Sequence, residues 1–293
     1  MRKVIAIQIA GTMSQTSKMP CKSYGLPTSI CNIGGKLRDV PGSACHGCYA
    51  DKGFYALYPT VKTSQGNRLA LMEAAMADDT GGKARDWLDA VKTLIGDDLY
   101  FRWHDSGDLI NERHLSLIVQ CAIEMPAVSF WLPTREKSLV LDFIAKHGDL
   151  PVNLIVRLSA PMIDGEPCAG KSGLNTSTIH RDNPAIGFEC GAPARGGYCG
   201  DCRACWNRGP HRPGQVADML YPESPALCPV AVNCYLEDMT MSLHPIALAA
   251  HRAATHWNIW GPYAARRYAE RNGVPSGILT LARVLACAER AGL

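Results

Sequence analysis

The chain has 293 residues, 47% of them hydrophobic, with a formal net charge of +3 and a pI near 8.2. That length suits one large domain or two modest ones, and the composition can bury a full core; the mild basicity permits a nucleic-acid partner without demanding one. Thirteen cysteines would fit a secreted disulfide scaffold only in a short chain behind a leader peptide. Here the start is too short and too soon polar for a leader, and no apolar run approaches the ~18 residues of a membrane span. The expectation is therefore a cytoplasmic protein with no membrane partner, whose clustered reduced thiols serve metal rather than disulfides.

In chain order, Val4–Ile9 reads as a short apolar strand. Residues 11–65 are rich in Gly, Pro, Ser and Cys without clear periodicity, and so long an irregular segment in a compact protein is usually functional. Helical patterns follow over 66–78 and 84–95, the second with Trp87, Leu88, Val91, Leu94 and Ile95 on one face. A repeating unit then begins: strand 99–103, loop 104–109 and helix 111–124, ended by Pro126; strand 128–132, loop 133–135 and helix 136–147; strand 154–158 and a polar loop. Such alternation implies an α/β fold with a parallel sheet. The strand count does not clearly reach eight. The expected form is a partial or irregular TIM-like barrel with two cysteine-rich loop regions and a helical C-terminus, an open doubly wound sheet being the alternative. Residues 165–235 form the second loop-rich region, and helical patterns fill 245–257, 262–272 and 276–290. The expected division is a barrel-like metal-binding catalytic domain over 1–235 and a helical region over 236–293 packed on it.

Two cysteine sets carry the strongest chemical signal. Cys190, Cys199, Cys202 and Cys205 include a C-x2-C-x2-C run, closer to an iron–sulfur pattern than to plain zinc knuckles. Cys21, Cys31, Cys45 and Cys48 form the other set. Within it, Cys45 and Cys48 read as half of a zinc knuckle, or with Cys31 as a three-cysteine iron–sulfur site, or all four close as a structural site. His46 reads as an exposed neighbour. Cys121, Cys168 and Cys287 read as ordinary buried thiols, as do Cys228 and Cys234.

The loops after the central strands carry His104, Asp105, Ser106 and Asp108, then Thr134 and Arg135, then Ser159. Carboxyl ends of parallel strands share one rim, where α/β proteins place their active sites. The candidate catalytic residues are Asp105, His104, Asp108 and Arg135, with Thr134 and Ser159 binding substrate or cofactor. Against this, Asp105 and Ser106 could simply shape the turn before the next helix. In the C-terminal helices, His251, Arg252, His256, Arg266, Arg267 and Arg271 interleave with Trp257, Trp260 and Tyr263, a pattern able to track a phosphate backbone and stack bases. A solvated helix face gives the same pattern.

The segments Ser-Lys-Met-Pro-Cys-Lys-Ser-Tyr, Cys-His-Gly-Cys-Tyr-Ala-Asp-Lys-Gly-Phe-Tyr, Phe-Arg-Trp-His-Asp-Ser-Gly-Asp, Phe-Trp-Leu-Pro-Thr-Arg and Cys-Gly-Asp-Cys-Arg-Ala-Cys-Trp resemble the phage gene-product-88 family over residues 15–210. For a phage-encoded chain the setting would be the host cytoplasm. A more distant likeness runs to phage three-Cys-motif proteins, which are radical-SAM-like. It implies a 4Fe–4S cluster on Cys31, Cys45 and Cys48 whose fourth iron binds S-adenosylmethionine, and an auxiliary cluster on Cys190, Cys199, Cys202 and Cys205. A third likeness, carried by Asp105-Ser106-Gly107, is to tRNA-guanine transglycosylases. It implies an acid/base or recognition role for Asp105 and structural zinc on the 190–205 cysteines.

Together these give a metal–sulfur enzyme that modifies nucleobases, with a 4Fe–4S cluster. The partner is a nucleobase or nucleic acid, DNA ahead of RNA. One alternative is a zinc-containing transglycosylase that inserts a 7-deazaguanine base into DNA. Another is a non-enzymatic, zinc-stabilised nucleic-acid-binding protein.

Overall fold

The computed structural model describes residues 1–168, 173–207 and 216–218. The predicted C-terminal helices with their basic and aromatic residues, Cys228, Cys234 and Cys287, and the whole of 236–293 lie outside the described residues.

Eight strands form one mixed sheet: β1 Ser14–Gln15, β2 Lys22–Tyr24, β3 Tyr100–Trp103, β4 Ser129–Thr134, β5 Leu154–Ile163, β6 Asn175–Ile179, β7 Phe188–Glu189 and β8 Val216–Asp218. They are ordered β1-β2-β3-β4-β5-β6-β8-β7. Only the β1–β2 pair is antiparallel; all other neighbours are parallel. The helices are α1 Lys3–Ala10, α2 Asn32–Lys36, α3 Gly53–Leu57, α4 Pro59–Ala77, α5 Gly82–Ile95, α6 Glu112–Glu124 and α7 Lys137–His147.

Period-two alternation decides what each sheet face meets. Phe101, Trp103, Phe130, Leu132, Leu154, Val156 and Leu158 join one core with Trp87 and Val91 of α5, Leu115 and Ile118 of α6, and Val140 and Phe143 of α7. Arg102, Trp131 and Arg157 alternate with them and are also buried, on the opposite face. There the short 3-10 turn Ala204–Trp206 covers the sheet. Trp131, Ala204, Cys205 and Trp206 form a second apolar cluster, and the Trp206 indole N–H donates to the Phe101 carbonyl at 2.9 Å. The Arg157 guanidinium donates to the carbonyls of Ala204 and Asn207, both at 3.1 Å.

From β2 to β6 the strand order follows the chain without reversal. Helices α1, α4, α5, α6 and α7 all feed the one core on one face. A doubly wound sheet needs a point where the order reverses and helices on both faces; neither occurs over β2–β6. The sheet ends on β1 and β7, so no closed ring exists among the described residues.

Residues 4–9 depart from expectation. They belong to helix α1, not a strand. An eight-residue apolar run cannot be sorted by periodicity alone. Ala6 and Ala10, four apart and fully buried, bring this helix close to α5, while the Tyr24 hydroxyl donates to the Ala10 carbonyl at 2.7 Å. Strand β2 holds the sheet position that residues 4–9 were expected to fill. Strand β5 runs past its predicted end to Ile163, because its last residues are held by the cysteine-bearing loop: Ala44 N–H donates to Pro161 O at 2.8 Å and Ile163 N–H to Gly42 O at 2.9 Å. Among the described residues, no helix is long and apolar enough to cross a membrane.

Candidate functional site

A cavity of about 150 Å³ opens at the carboxyl ends of the central strands. Cys31, Cys45 and Cys48 line it, together with Arg38, Arg102, His104, Asp108, Trp131, Thr134, Arg135 and Ser159. Cys31, Cys45 and Cys48 therefore share one space with five of the six predicted catalytic or binding residues: His104, Asp108, Thr134, Arg135 and Ser159.

The loop bearing these cysteines is held from three sides. The Ser43 hydroxyl accepts the N–H groups of Cys45 and His46 at 3.3 and 2.9 Å and shapes the turn into Cys45–Cys48. The Glu136 carboxylate accepts the Ile33 N–H at 2.8 Å and the Asn32 side-chain amide at 3.3 Å. It thereby caps the start of α2 directly after Cys31. The third support is Asp105, which takes hydrogen bonds from the Tyr55 hydroxyl on its carboxylate, at 2.7 Å, and from the Tyr49 hydroxyl on its carbonyl.

Burial is the largest influence on all three thiols. It pushes Cys31 up to about 12, and also raises Cys45 and Cys48. Cys45 and Cys48 add to the rise at Cys31 and Cys48 to that at Cys45, Asp108 adds to it at Cys31 and Cys45, and Arg135 opposes it at all three. Cys48 is further eased by the N–H groups of Ala50 and Asp51, which point at its sulfur.

The predicted rim residues divide. Asp108 is buried and accepts three hydrogen bonds: Leu109 N–H at 2.7 Å and Thr134 hydroxyl at 2.6 Å on Oδ1, and Arg135 N–H at 2.9 Å on Oδ2. Burial raises its pKa and these donors pull it back. Thr134 in turn accepts the Glu136 N–H at 3.0 Å, so one chain of bonds runs from the β3 loop to the segment holding Cys31. Ser159 lies within β5 rather than after it and receives the Ser177 hydroxyl at 3.3 Å. His104 lines the cavity but is buried with φ of 55°, and neither ring nitrogen has a hydrogen-bond partner. Burial, with His114 and Arg102 nearby, holds its pKa well below the usual histidine range, so the ring is neutral. Asp105 does not line the cavity. It lies 2% exposed against β2, so close that a Cβ on Gly25 would sit 2.3 Å from its Oδ1. Its place in the structure is that of a support for the loop carrying Tyr49 and Tyr55. Glu136 and Ser43 escaped sequence reasoning; a capping carboxylate four residues beyond the end of a predicted strand was the available sign for the first.

The second cysteine set is reorganised by one residue. Cys21, expected beside Cys31, Cys45 and Cys48, instead packs in the apolar cluster of Trp131, Cys205 and Trp206. The Cys199 N–H donates to the Lys18 carbonyl at 3.0 Å, which draws the 18–21 segment onto the 199–205 loop. Burial pushes Cys21 up to about 12, with Cys199 adding to the rise and Arg102 opposing it. Cys190 is raised by burial and then by Cys202 and Cys199; Cys205 is raised by burial and then by Cys199 and Cys190. Position is the reason: residue 21 directly precedes β2, beneath the sheet's second face, whereas Cys31 follows that strand at the opposite end.

Among the described residues, no three His, Cys, Asp or Glu side chains stand in position to grip a single ion. The donor set of the cavity fits a thiophilic centre. Gly34 separates two of the sulfurs, and a Cβ there would lie 3.3 Å from the Cys45 sulfur and 3.9 Å from that of Cys31; its absence keeps the space between them open. His46 is exposed, its ring on the Arg38 carbonyl at 3.2 Å. All ten described cysteines are free thiols, and Cys121 is buried in the main core as expected.

A mostly parallel α/β sheet with thiols gathered over its carboxyl ends defines the class of this protein. The family model described as Gene product 88 matches residues 5–208, more than two thirds of the chain, and the chain belongs to that family. Comparison with curated proteins and with solved structures returns no match.

Proposed function

We propose that this protein is a metal–sulfur enzyme acting on a nucleobase or nucleic acid, with Cys31, Cys45 and Cys48 as the ligands of an iron–sulfur cluster. The observation that carries the reading is the separation of Cys21 from these three: a three-thiol site at the rim is left with an open side facing the cavity. Such a cluster, when bound, would supply electron transfer and an open iron for a ligand such as S-adenosylmethionine. The chain's own residues do the rest. Asp108 and Glu136 fix the rim loops, while Trp131, Arg102 and the Cys45–Cys48 loop line the cavity. The singly wound order of β2–β6 supports a partial barrel as the form of the sheet, since successive parallel strands with helices on one face curl toward closure.

Cys190, Cys199, Cys202 and Cys205 we assign to a second centre, which secures the turn that covers the other sheet face. The transglycosylase alternative draws less support, because Asp105 is engaged with Tyr55 and does not line the cavity. Anaerobic purification with iron, sulfide and zinc analysis tests the proposal. Iron and sulfide in near-equal amounts are expected; zinc alone at both sites would overturn the cluster and leave a zinc-stabilised binding protein.

A further inference from the structure

Three arginines line the cavity, and two are committed to the protein. Arg38 donates to the Thr28 carbonyl at 3.2 Å and pairs with Asp51 at 3.3 Å. Arg102 lies over the Trp131 ring at 4.3 Å and donates to the His104 carbonyl at 3.4 Å. Arg135 differs. Its backbone N–H is anchored on Asp108, yet among the described residues its guanidinium makes no hydrogen bond or ion pair, and its shielded Nε has no partner. Arg135 is half-buried, and a shielded donor without a partner calls for an explanation.

The nearby carboxylate does not provide one. Asp108 spends both oxygens on Leu109, Thr134 and the Arg135 backbone. It attracts the Arg135 guanidinium through space but makes no hydrogen bond or ion pair with it. The cavity-lining hydroxyls Thr28 and Ser159 are neutral. A planar guanidinium with its donors open matches a carboxylate or phosphate, which it grips through two parallel hydrogen bonds.

We propose that Arg135 is the oxyanion receptor of this cavity, binding a carboxylate or phosphate group of the molecule the site works on. The inference rests on the proposed reading only in taking this cavity as the working site. The backbone anchor on Asp108 fixes the root of the side chain, so the anion would be held at a set position beside the three thiols.

The test is anion binding by the intact protein, followed by thermal shift and tryptophan fluorescence, since Trp131 lines the same cavity. Inorganic phosphate and acetate are titrated separately at constant ionic strength made up with chloride. The expected result is saturable millimolar binding of at least one anion, weakened about tenfold or more in Arg135→Gln and less in Arg135→Lys, with unchanged circular dichroism. Preference for phosphate would identify a nucleotide or nucleic-acid source; preference for acetate, a small carboxylic acid. The proposal is overturned if the wild type responds to neither anion, or if Arg135→Gln responds as strongly as wild type. Metal analysis of the same samples separates the two ideas: anion binding by a protein without iron would sink the cluster and leave the receptor.

Discussion

The Asp108 carboxylate accepts the backbone N–H of Arg135 at 2.9 Å, while its other oxygen takes the Thr134 hydroxyl at 2.6 Å. The loops after β3 and β4 are thereby held as one unit, and Thr134 passes the constraint on to Glu136 and so to the segment beginning at Cys31. Asp108→Asn keeps the shape but offers one acceptor oxygen and an amide to three donors. At least one shielded donor is left unmatched, so a loss of about 1–3 kcal/mol is expected in denaturant unfolding, together with reduced metal content. Asp105→Asn is expected to behave differently. An amide oxygen still accepts from Tyr55, and the Tyr49 bond goes to the backbone. A change of about 1 kcal/mol or less, with metal and anion binding retained, is the expected outcome; loss of binding by a folded Asp105→Asn protein would return Asp105 to the working site.

Cysteine substitutions should sort by place in the fold rather than by order in the chain. Alanine at Cys31, Cys45 or Cys48 is expected to remove the rim centre and leave the other. Alanine at Cys21 should leave the rim centre loaded, because Cys21 lies with Cys205 and Trp206. Iron and sulfide per chain, measured for each variant after anaerobic purification, decide this. Loss of the rim centre in Cys21→Ala would mean that the closed four-cysteine site is correct.

Much of this was legible in the residues. Leu99–Trp103, Val128–Leu132 and Leu154–Leu158 declared themselves as strands because both sheet faces are covered, which makes their runs nearly continuous and apolar. The rim position of Asp108, Thr134 and Arg135 then follows from parallel topology alone. Other features depended on contacts between distant segments. Nothing within Val4–Ile9 distinguishes a helix packed through Ala6 and Ala10 from a strand. The pairing of Cys21 with the 199–205 loop depends on a hydrogen bond between Lys18 and Cys199, nearly two hundred residues apart. Asp105 and Asp108 look alike in sequence, and the left-handed turn at His104 decides which one reaches the cavity.

The Ala204–Trp206 turn covers the sheet's second face, and its side chains are nearly inaccessible. Trp206 meets Trp131 and Tyr100 edge-on at ring separations of 5.4 and 5.6 Å. Trp206→Ala leaves a large cavity and frees the Phe101 carbonyl, so a loss of about 3–5 kcal/mol is expected. Trp206→Phe keeps most of the packing and should cost less. Denaturant midpoints give the comparison; equal, small effects would show that the turn does not hold the sheet.

Acid stability tests the histidine pair at the end of β3. His104 and His114 are buried with ring centroids 5.1 Å apart, and burial holds the pKa of His114 down to about 3 and that of His104 well below the usual range. Both are neutral in the folded protein, whereas in the unfolded chain each takes up a proton near pH 6.5. The unfolded state therefore binds more protons as pH falls below that value. The stability from keeping the rings neutral is fully present above about pH 6.5 and drains away as pH drops toward the folded-state pKa, at up to about 1.4 kcal/mol per pH unit for each ring. Between about pH 6 and 5 most carboxylates are still ionised, so the slope there belongs chiefly to these two rings. His114→Gln should remove about half of it. Urea unfolding across that range measures the slope, and an unchanged slope in His114→Gln would show that His114 is already protonated in the folded protein.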